Sequence, residues 1–421
     1  MIKNFKVENC LSIRDEQELD FVATGDNTYE DFTVVKKNNT RLSKIGLIYG
    51  ANASGKSNVV FALNWLVKFI RGSKDSIVMY APFLLDEESR NKPSKMFLSF
   101  YIDDTLYEYS LVIQENVVKS EKLVRYPLGR SSLVFDRKWN EDTNSSEITF
   151  GASLKLSTQQ NYSLTAVTLS DISVIAAYSN NNIPKIEVFE DVKKYFRRQI
   201  LPFLSRKDDV ENFSNSVIKA QPQVKDFILK FLSQADFNIS DIIIKEEKTE
   251  IPDDVWEEIQ KLSNIFEGTP ERTYTEDQLF FQHSTLVHTQ VLPEGVESVG
   301  TNRMYGLAAY LFFLTKWGTV MMADEIESSL HYDLLRYFVQ LFLLNSPESQ
   351  MICSTHSLLL LDEPFIRRDS IHICTKDNMG ATEVVRASEF GLRKGVSILK
   401  AYREGKLGGI PRLGGLMLDK A

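Results

Sequence analysis

Two periods of apolar spacing alternate along this chain, and the changes between them mark out its elements. Residues 2–7 and 18–22 alternate like short strands around a polar turn, which predicts a β-rich entry lobe. Residues 26–39 are mostly polar and read as loop. Residues 44–49 are a short apolar run of the kind a buried strand makes, and 58–70 read as a mostly apolar helix stopped at Gly72. From Lys92 to about Ile175 the spacing returns to two, and 96–102, 106–113 and 117–124 predict an antiparallel meander. Residues 187–204 and 223–232 then carry apolar side chains at helical spacing, broken by Pro202 and Pro222. Residues 239–245 read as a strand, 264–276 as a linker, and 279–283 as a return to strand. An apolar helix over 304–314 precedes two further strand-like runs, 319–325 and 350–356.

Between the first buried strand and its helix lies Gly50-Ala-Asn-Ala-Ser-Gly-Lys-Ser57, the pattern G-x-x-x-x-G-K-[ST] of a phosphate-binding loop. Gly50 and Gly55 let the backbone curl so that its N–H groups face phosphate oxygens. Lys56 reaches the β- and γ-phosphates, and the Ser57 hydroxyl ligates Mg²⁺. The helix N-terminus adds about half a positive charge beneath the anion.

The strand at 319–325 ends in Asp324-Glu325, the arrangement expected of a metal-holding acid followed by a general base for water. The strand at 350–356 ends in His356, placed to donate a hydrogen bond to a γ-phosphate from a neighbouring strand. Before the 304–314 helix, Glu297-Ser-Val-Gly-Thr-Asn302 sets Ser298 and the Gly300 backbone at a helix start, a second anion site.

Composition narrows the class without naming it. With 421 residues, 43% hydrophobic and 25% charged, the chain has the make-up of a soluble protein of two or three lobes. A net charge of −8 speaks against a surface coated all over by nucleic acid, while leaving a local basic groove open. Three cysteines without metal spacing fit a reducing cytoplasm, and Cys353 and Cys374 read as small buried hydrophobes. Neither a secretory leader nor a membrane span is expected. The basic run from Lys193 to Arg198 reads as a solvated helix face.

The order of these motifs resembles the ABC-type ATPase heads of the SMC-like and recombination-repair class. Within it, the chain looks most like the stand-alone ATPases allied to the OLD family and to the RloA/AbiL-type phage-defence ATPases. The residues carrying the resemblance are Gly50 to Asn58, Glu297 to Thr301, Asp324 to His331, and Ser354 to Ser357, with a looser likeness in the tail.

The resemblance implies an α/β fold, an ABC-type P-loop head with a mixed central sheet, flanking helices and an antiparallel β lobe. It implies a large insertion, β then α, over 91–275, between head segments at 1–90 and 276–421. It implies ATP with Mg²⁺, held by Gly50, Asn52, Ser54, Gly55, Lys56, Ser57 and Asn58, with Ser57 and Asp324 at the metal. Lys56, Glu325 and His356 would serve hydrolysis. Two copies would sandwich ATP, Ser298 and Gly300 of one meeting the γ-phosphate held by the other.

Departures matter too. The signature is Glu-Ser-Val-Gly-Thr rather than Leu-Ser-Gly-Gly-Gln, and no glutamine marks a Q-loop. About 65 residues follow His356, so a Toprim nuclease domain of the OLD kind is not expected. The leading expectation is therefore a homodimeric ATPase switch controlling a separate effector in phage defence, a nuclease among the candidates. The alternative is a repair ATPase that clamps DNA. The insertion and the signature disfavour a transporter subunit.

Overall fold

The computed structural model describes residues 1–73, 81–205, 210–253, 255–256, 272–393 and 395–410. Strands β1 (Ile2–Glu8) and β2 (Gln17–Asp20) pair antiparallel, as do β3 (Val34–Lys37) and β4 (Thr40–Ser43). β5 (Ile45–Gly50), buried at every position, leads through the glycine-rich turn into a helix over Lys56–Arg71. Then come β6 (Ser94–Ile102), β7 (Thr105–Gln114), β8 (Val117–Tyr126), β9 (Ser132–Asn140) and β10 (Ser145–Phe150). Helices fill most of the next stretch. β11 (Asp241–Glu250), β12 (Thr273–Ser284) and β13 (Thr289–Pro293) form a three-stranded antiparallel sheet. A helix over Val299–Lys316 leads to β14 (Val320–Ala323), and one over Tyr332–Asn345 leads to β15 (Gln350–Ser354). β16 (Ile371–Lys376) and β17 (Thr382–Arg386) close the pattern.

Two sheets organise the part of the chain that carries the glycine-rich turn. The central sheet runs β14-β15-β5-β16-β17, its first four strands parallel and β17 antiparallel. The antiparallel lobe runs β10-β9-β8-β7-β6-β1-β2. The helix over Lys56–Arg71 contributes Val59, Val60, Leu63, Leu66 and Phe69 to one apolar cluster with Phe5, Leu98 and Phe100 of the lobe and Ile48, Met322 and Ile352 of the central sheet. Its half-buried Ser57, Phe61, Asn64, Lys68 and Arg71 recur at helical spacing along one side, while the other faces are apolar and packed into this cluster.

The expected meander is present, with β9 and β10 following its three clearest strands, but it ends at Phe150: helices over Thr158–Val167 and Val174–Asn180 take the place of strand in the rest of the stretch to Ile175. It is not set apart from the N-terminal strands: β6 pairs with β1 from Phe100 opposite Ile2 to Lys95 opposite Glu8. The compact units are accordingly Met1–Arg206 with Phe313–Glu327 and Phe338–Ala421, and Lys207–Phe312 with Ser328–Tyr337. These lines differ from the divisions at 90 and 275, because strand pairing joins the meander to the entry lobe.

Three local expectations also change. The 26–39 stretch holds a short helix (Glu30–Thr33) and β3, because Val35 and Leu42 pack with Met1 and Tyr101. The helix expected over 187–204 is α-helical only through Glu187–Lys194 and passes through a π turn at Tyr195–Gln199. Beyond it Pro202 prevents helix, and Leu201 and Leu204 donate instead to the carbonyls of Val320 and Met322 beside β14. Of the 264–276 linker, residues 264–271 lie outside the described residues, and Thr273–Glu276 belong to β12.

In the second unit, Tyr305 is buried, its hydroxyl 2.6 Å from Asn215 Oδ1 and its ring edge-on to Phe281. Among the described residues, no helix is long and apolar enough to cross a membrane.

Candidate functional site

Three parallel strands bring the predicted chemistry to one edge of the central sheet. Ala323 pairs with Cys353 and Cys353 with Leu47, so β14, β15 and β5 are in step and their C-terminal ends lie side by side. Beyond those ends come Asp324-Glu325, Thr355-His356 and the glycine-rich turn. Ligands of open parallel sheets bind at such carboxyl ends.

The turn is built for close approach of an anion. At Gly50 (φ +153°) a Cβ would collide with the Cys374 carbonyl, and at Gly55 (φ +101°) with the Thr382 hydroxyl. Only glycine fits either place. Gly55 caps the helix without any side-chain hydrogen bond, so the first-turn N–H groups are left for a ligand. The Ser54 hydroxyl is buried with no partner among the described residues, a second sign of a place kept for an acceptor. Lys56 is buried and donates to the carbonyls of Gly50 and Ala51, both at 3.0 Å. Burial lowers its ammonium pKa, while Asp324, Glu325 and Glu327 among its neighbours pull the other way. Asn52 is exposed at the mouth of the turn, and Ser57 and Asn58 are half-buried at the helix start.

The acids are held by β15. The Ser354 hydroxyl donates to Asp324 Oδ1 at 2.5 Å and accepts the backbone N–H of Glu325 at 2.8 Å. Glu325 takes a left-handed backbone (φ +50°), a conformation a non-glycine residue adopts at some cost and that turns its side chain away from the strand direction. His356 Nε2 stands 3.9 Å from Glu325 Oε1, and both side chains are only partly exposed.

An oxygen-only set of Ser57 hydroxyl and Asp324 carboxylate suits Mg²⁺, which keeps several waters and takes its remaining ligands from phosphate. Among the described residues, no group of three or more His, Cys, Asp or Glu could hold a metal ion.

Ser298 and Gly300 lie in the other compact unit. The Ser298 hydroxyl accepts the N–H of Thr301 at 3.0 Å, capping the helix over Val299–Lys316. His283 and Glu297, 2.7 Å apart, tie β12 to the residue before it. A Cβ at Gly300 would stand 3.1 Å from the Ser329 carbonyl.

A model of the family described as "AAA domain, putative AbiEii toxin, Type IV TA system" matches residues 47–362, most of the chain and every motif above. The chain belongs to that family. No curated protein matches it. Among solved structures it is similar to an Smc head bound to the C-winged helix domain of ScpA, at 13% identity and TM-score 0.46, covering 95% of this chain and 99% of that one. It is also similar to the SMC head domain from Thermotoga maritima, at 12% and 0.41, covering 91% and 98%. A third is an Smc head with an extended coiled coil, derived from Pyrococcus furiosus and bound to the C-terminal domain of ScpA, at 12% and 0.40, covering 96% and 98%.

Family and geometry together make the site that of a P-loop ATPase domain. Its residues were largely readable from motifs, but four supports were not. Ser354 holds both acids. Thr382 Oγ1 donates to the Ser54 carbonyl at 3.0 Å, with the Ser12 hydroxyl 2.8 Å from it and Asn58 donating to Ser12 at 2.7 Å. Glu327 meets the backbone of His356. Ser354 and Glu327 lie within the motif runs while Thr382 and Ser12 do not, but the contacts of all four depend on segments that meet from distant parts of the chain.

Some cations of the basic run and of the C-terminal tail, which is also basic, are engaged. Lys193 pairs with Glu190, Arg197 donates to Asn180, and Lys406 pairs with Glu404. Lys394 and Arg412 lie outside the described residues.

Proposed function

We propose that this chain hydrolyses ATP with Mg²⁺ and uses the cycle as a switch: two copies close around ATP, and hydrolysis releases them. The observation that carries this is the convergence of Lys56, Asp324, Glu325 and His356 at the ends of three adjacent parallel strands. In this reading Lys56 and the turn's N–H groups bind the phosphates. Ser57 and Asp324 hold the Mg²⁺, which neutralises charge developing on the transferred phosphoryl group. Glu325 orients and polarises the attacking water, and His356 donates to the γ-phosphate. Ser298 and the Gly300 backbone of one copy complete the site of the other. Membership of a toxin–antitoxin family supports a role in phage defence, exerted through a separate effector protein.

Glu325→Gln tests the enzymatic core. It keeps the side chain's shape but removes the base, so ATP should still bind while turnover falls at least about 100-fold. With ATP and Mg²⁺ it should elute at twice the monomer mass. Near-normal turnover would remove Glu325 from the role of base. The effector is tested by purifying the tagged chain from its native locus with ATP. A stoichiometric second protein that leaves on hydrolysis is expected; nuclease-sensitive DNA on a clean homodimer would favour a repair clamp instead.

A further inference from the structure

One carboxylate beside the site has no part in the mechanism above. Glu327 follows Glu325 by two residues, with buried Ile326 between them. Its Oε1 accepts the backbone N–H of His356 at 2.5 Å, while its Oε2 is shut away from water with no hydrogen-bond partner among the described residues. A half-satisfied carboxylate is costly to bury, and more so near Asp324 and Glu325. Stability therefore does not explain why an acid stands there.

Its effect is geometric. Strand β15 ends at Ser354, and the next N–H, of Thr355, still reaches the Ile48 carbonyl at 3.1 Å. The following N–H belongs to His356, and Glu327 takes it in place of a strand neighbour. The chain around His356 is thus pinned on both sides, by β5 through Thr355 and by Glu327. That fixes the direction in which the His356 side chain leaves the backbone, with its Nε2 3.9 Å from Glu325 Oε1. The two acids grip one residue, Glu327 at its backbone and Glu325 opposite its imidazole.

We propose that Glu327 is a positioning residue for hydrolysis: it sets the spacing between His356 and Glu325 through the His356 peptide. This rests on the assignment of Glu325 and His356 to the reaction. The requirement is for an acceptor oxygen at that point, not for a charge. Reaction rates are sensitive to misplacement of this kind even when binding is not.

Selective ¹⁵N-histidine labelling of the full chain gives five amide signals, since the sequence holds five histidines, and His356→Gln identifies the one of interest. That proton is expected far downfield, as a short charge-assisted bond requires. Glu327→Ala should move it upfield and lower kcat about tenfold or more, with ATP affinity within about twofold. Glu327→Gln, which retains an acceptor oxygen, should leave the amide near its place and keep most of kcat. In a His356→Ala background, Glu327→Ala should cost nothing further in kcat, whereas a general loss of structure would add.

An amide that stays put in Glu327→Ala overturns the contact. A shifted amide with unchanged kcat overturns the positioning role, as does equal loss in the Gln and Ala variants. If the wild-type chain does not turn over ATP, the reaction assigned to the site fails and this role falls with it, while the amide still reports the contact separately.

Discussion

At the scale of residues, the phosphate loop is held from outside by hydroxyl groups. Thr382, almost fully buried on β17, donates to the Ser54 carbonyl, and Ser12 bridges Thr382 to Asn58 on the loop's helix. The missing Cβ of Gly55 is what lets Thr382 come so close. Thr382→Val keeps the branched shape and deletes only the hydroxyl, leaving the Ser54 carbonyl without this donor and the Ser12 hydroxyl without this partner. A buried polar group deprived of its partner costs about 1–3 kcal/mol. The variant should therefore melt at lower temperature, and its ATP dissociation constant should rise by about five- to tenfold as the loop loosens. Calorimetric titration reads the affinity. Unchanged affinity and unchanged melting would mean that the loop holds its shape without the clamp.

At the scale of elements, buried polar staples join the lobe's edge strand β2 to β16 and β17 of the central sheet. Arg386 pairs with Asp20 at 2.9 Å and donates to the carbonyls of Val22 and Asp369 at 2.6 Å, while His372 Nε2 donates to the Asp20 carbonyl at 3.2 Å. The other nitrogen of His372 is buried with no partner among the described residues. Burial first, and then the Arg386 charge, depress the His372 pKa to about 3. The unfolded chain takes up this proton below about pH 6.5, and the folded chain does not until about pH 3. Stability is thus whole above pH 6.5 and drains as pH falls, by about 1.4 kcal/mol per unit from this group. His372→Gln should flatten the fall between pH 6.5 and 5 by that amount in denaturant titrations. An identical slope in both chains would mean that the imidazole is solvated or paired in solution.

The same elements account for what could be read from the sequence and what could not. β5, β14 and β15 were legible because each is a short, mostly apolar run followed closely by the glycine-rich turn, Asp-Glu or histidine. β9 and β10 were not. β10 alternates exposed and half-buried positions, and β9 carries Asp136-Arg137-Lys138, which reads as surface. Arg137 is in fact fully buried, 3.2 Å from an equally buried Glu121, and its guanidinium also caps the carbonyls of Leu169 and Ile172. A buried ion pair looks like two surface charges until the strands are in register. The union of β1 with β6 was hidden for the same reason, since pairing between strands far apart in the chain leaves no local mark.

At the scale of the whole molecule, the phosphate loop, Asp324, Glu325 and His356 belong to one compact unit, while Ser298 and Gly300 belong to the other. If two copies share each ATP, damage to the second unit should spare binding and stop the reaction. Gly300→Asp sets a carboxylate where the partner's γ-phosphate would arrive. Like charges at about 4 Å repel by roughly 1–4 kcal/mol, depending on exposure. The substitution carries a steric cost too, because a Cβ there meets the Ser329 carbonyl at 3.1 Å. Gly300→Ala bears that cost without the charge and serves as the control. Both variants should bind ATP as the parent does. Only Gly300→Asp should lose turnover by about tenfold or more and, combined with Glu325→Gln, fail to form the ATP-dependent dimer. Equal behaviour of the Ala and Asp variants would assign the effect to packing against Ser329. Full turnover by Gly300→Asp would mean that each copy works alone, and the switch would then need another basis than closure around shared nucleotide.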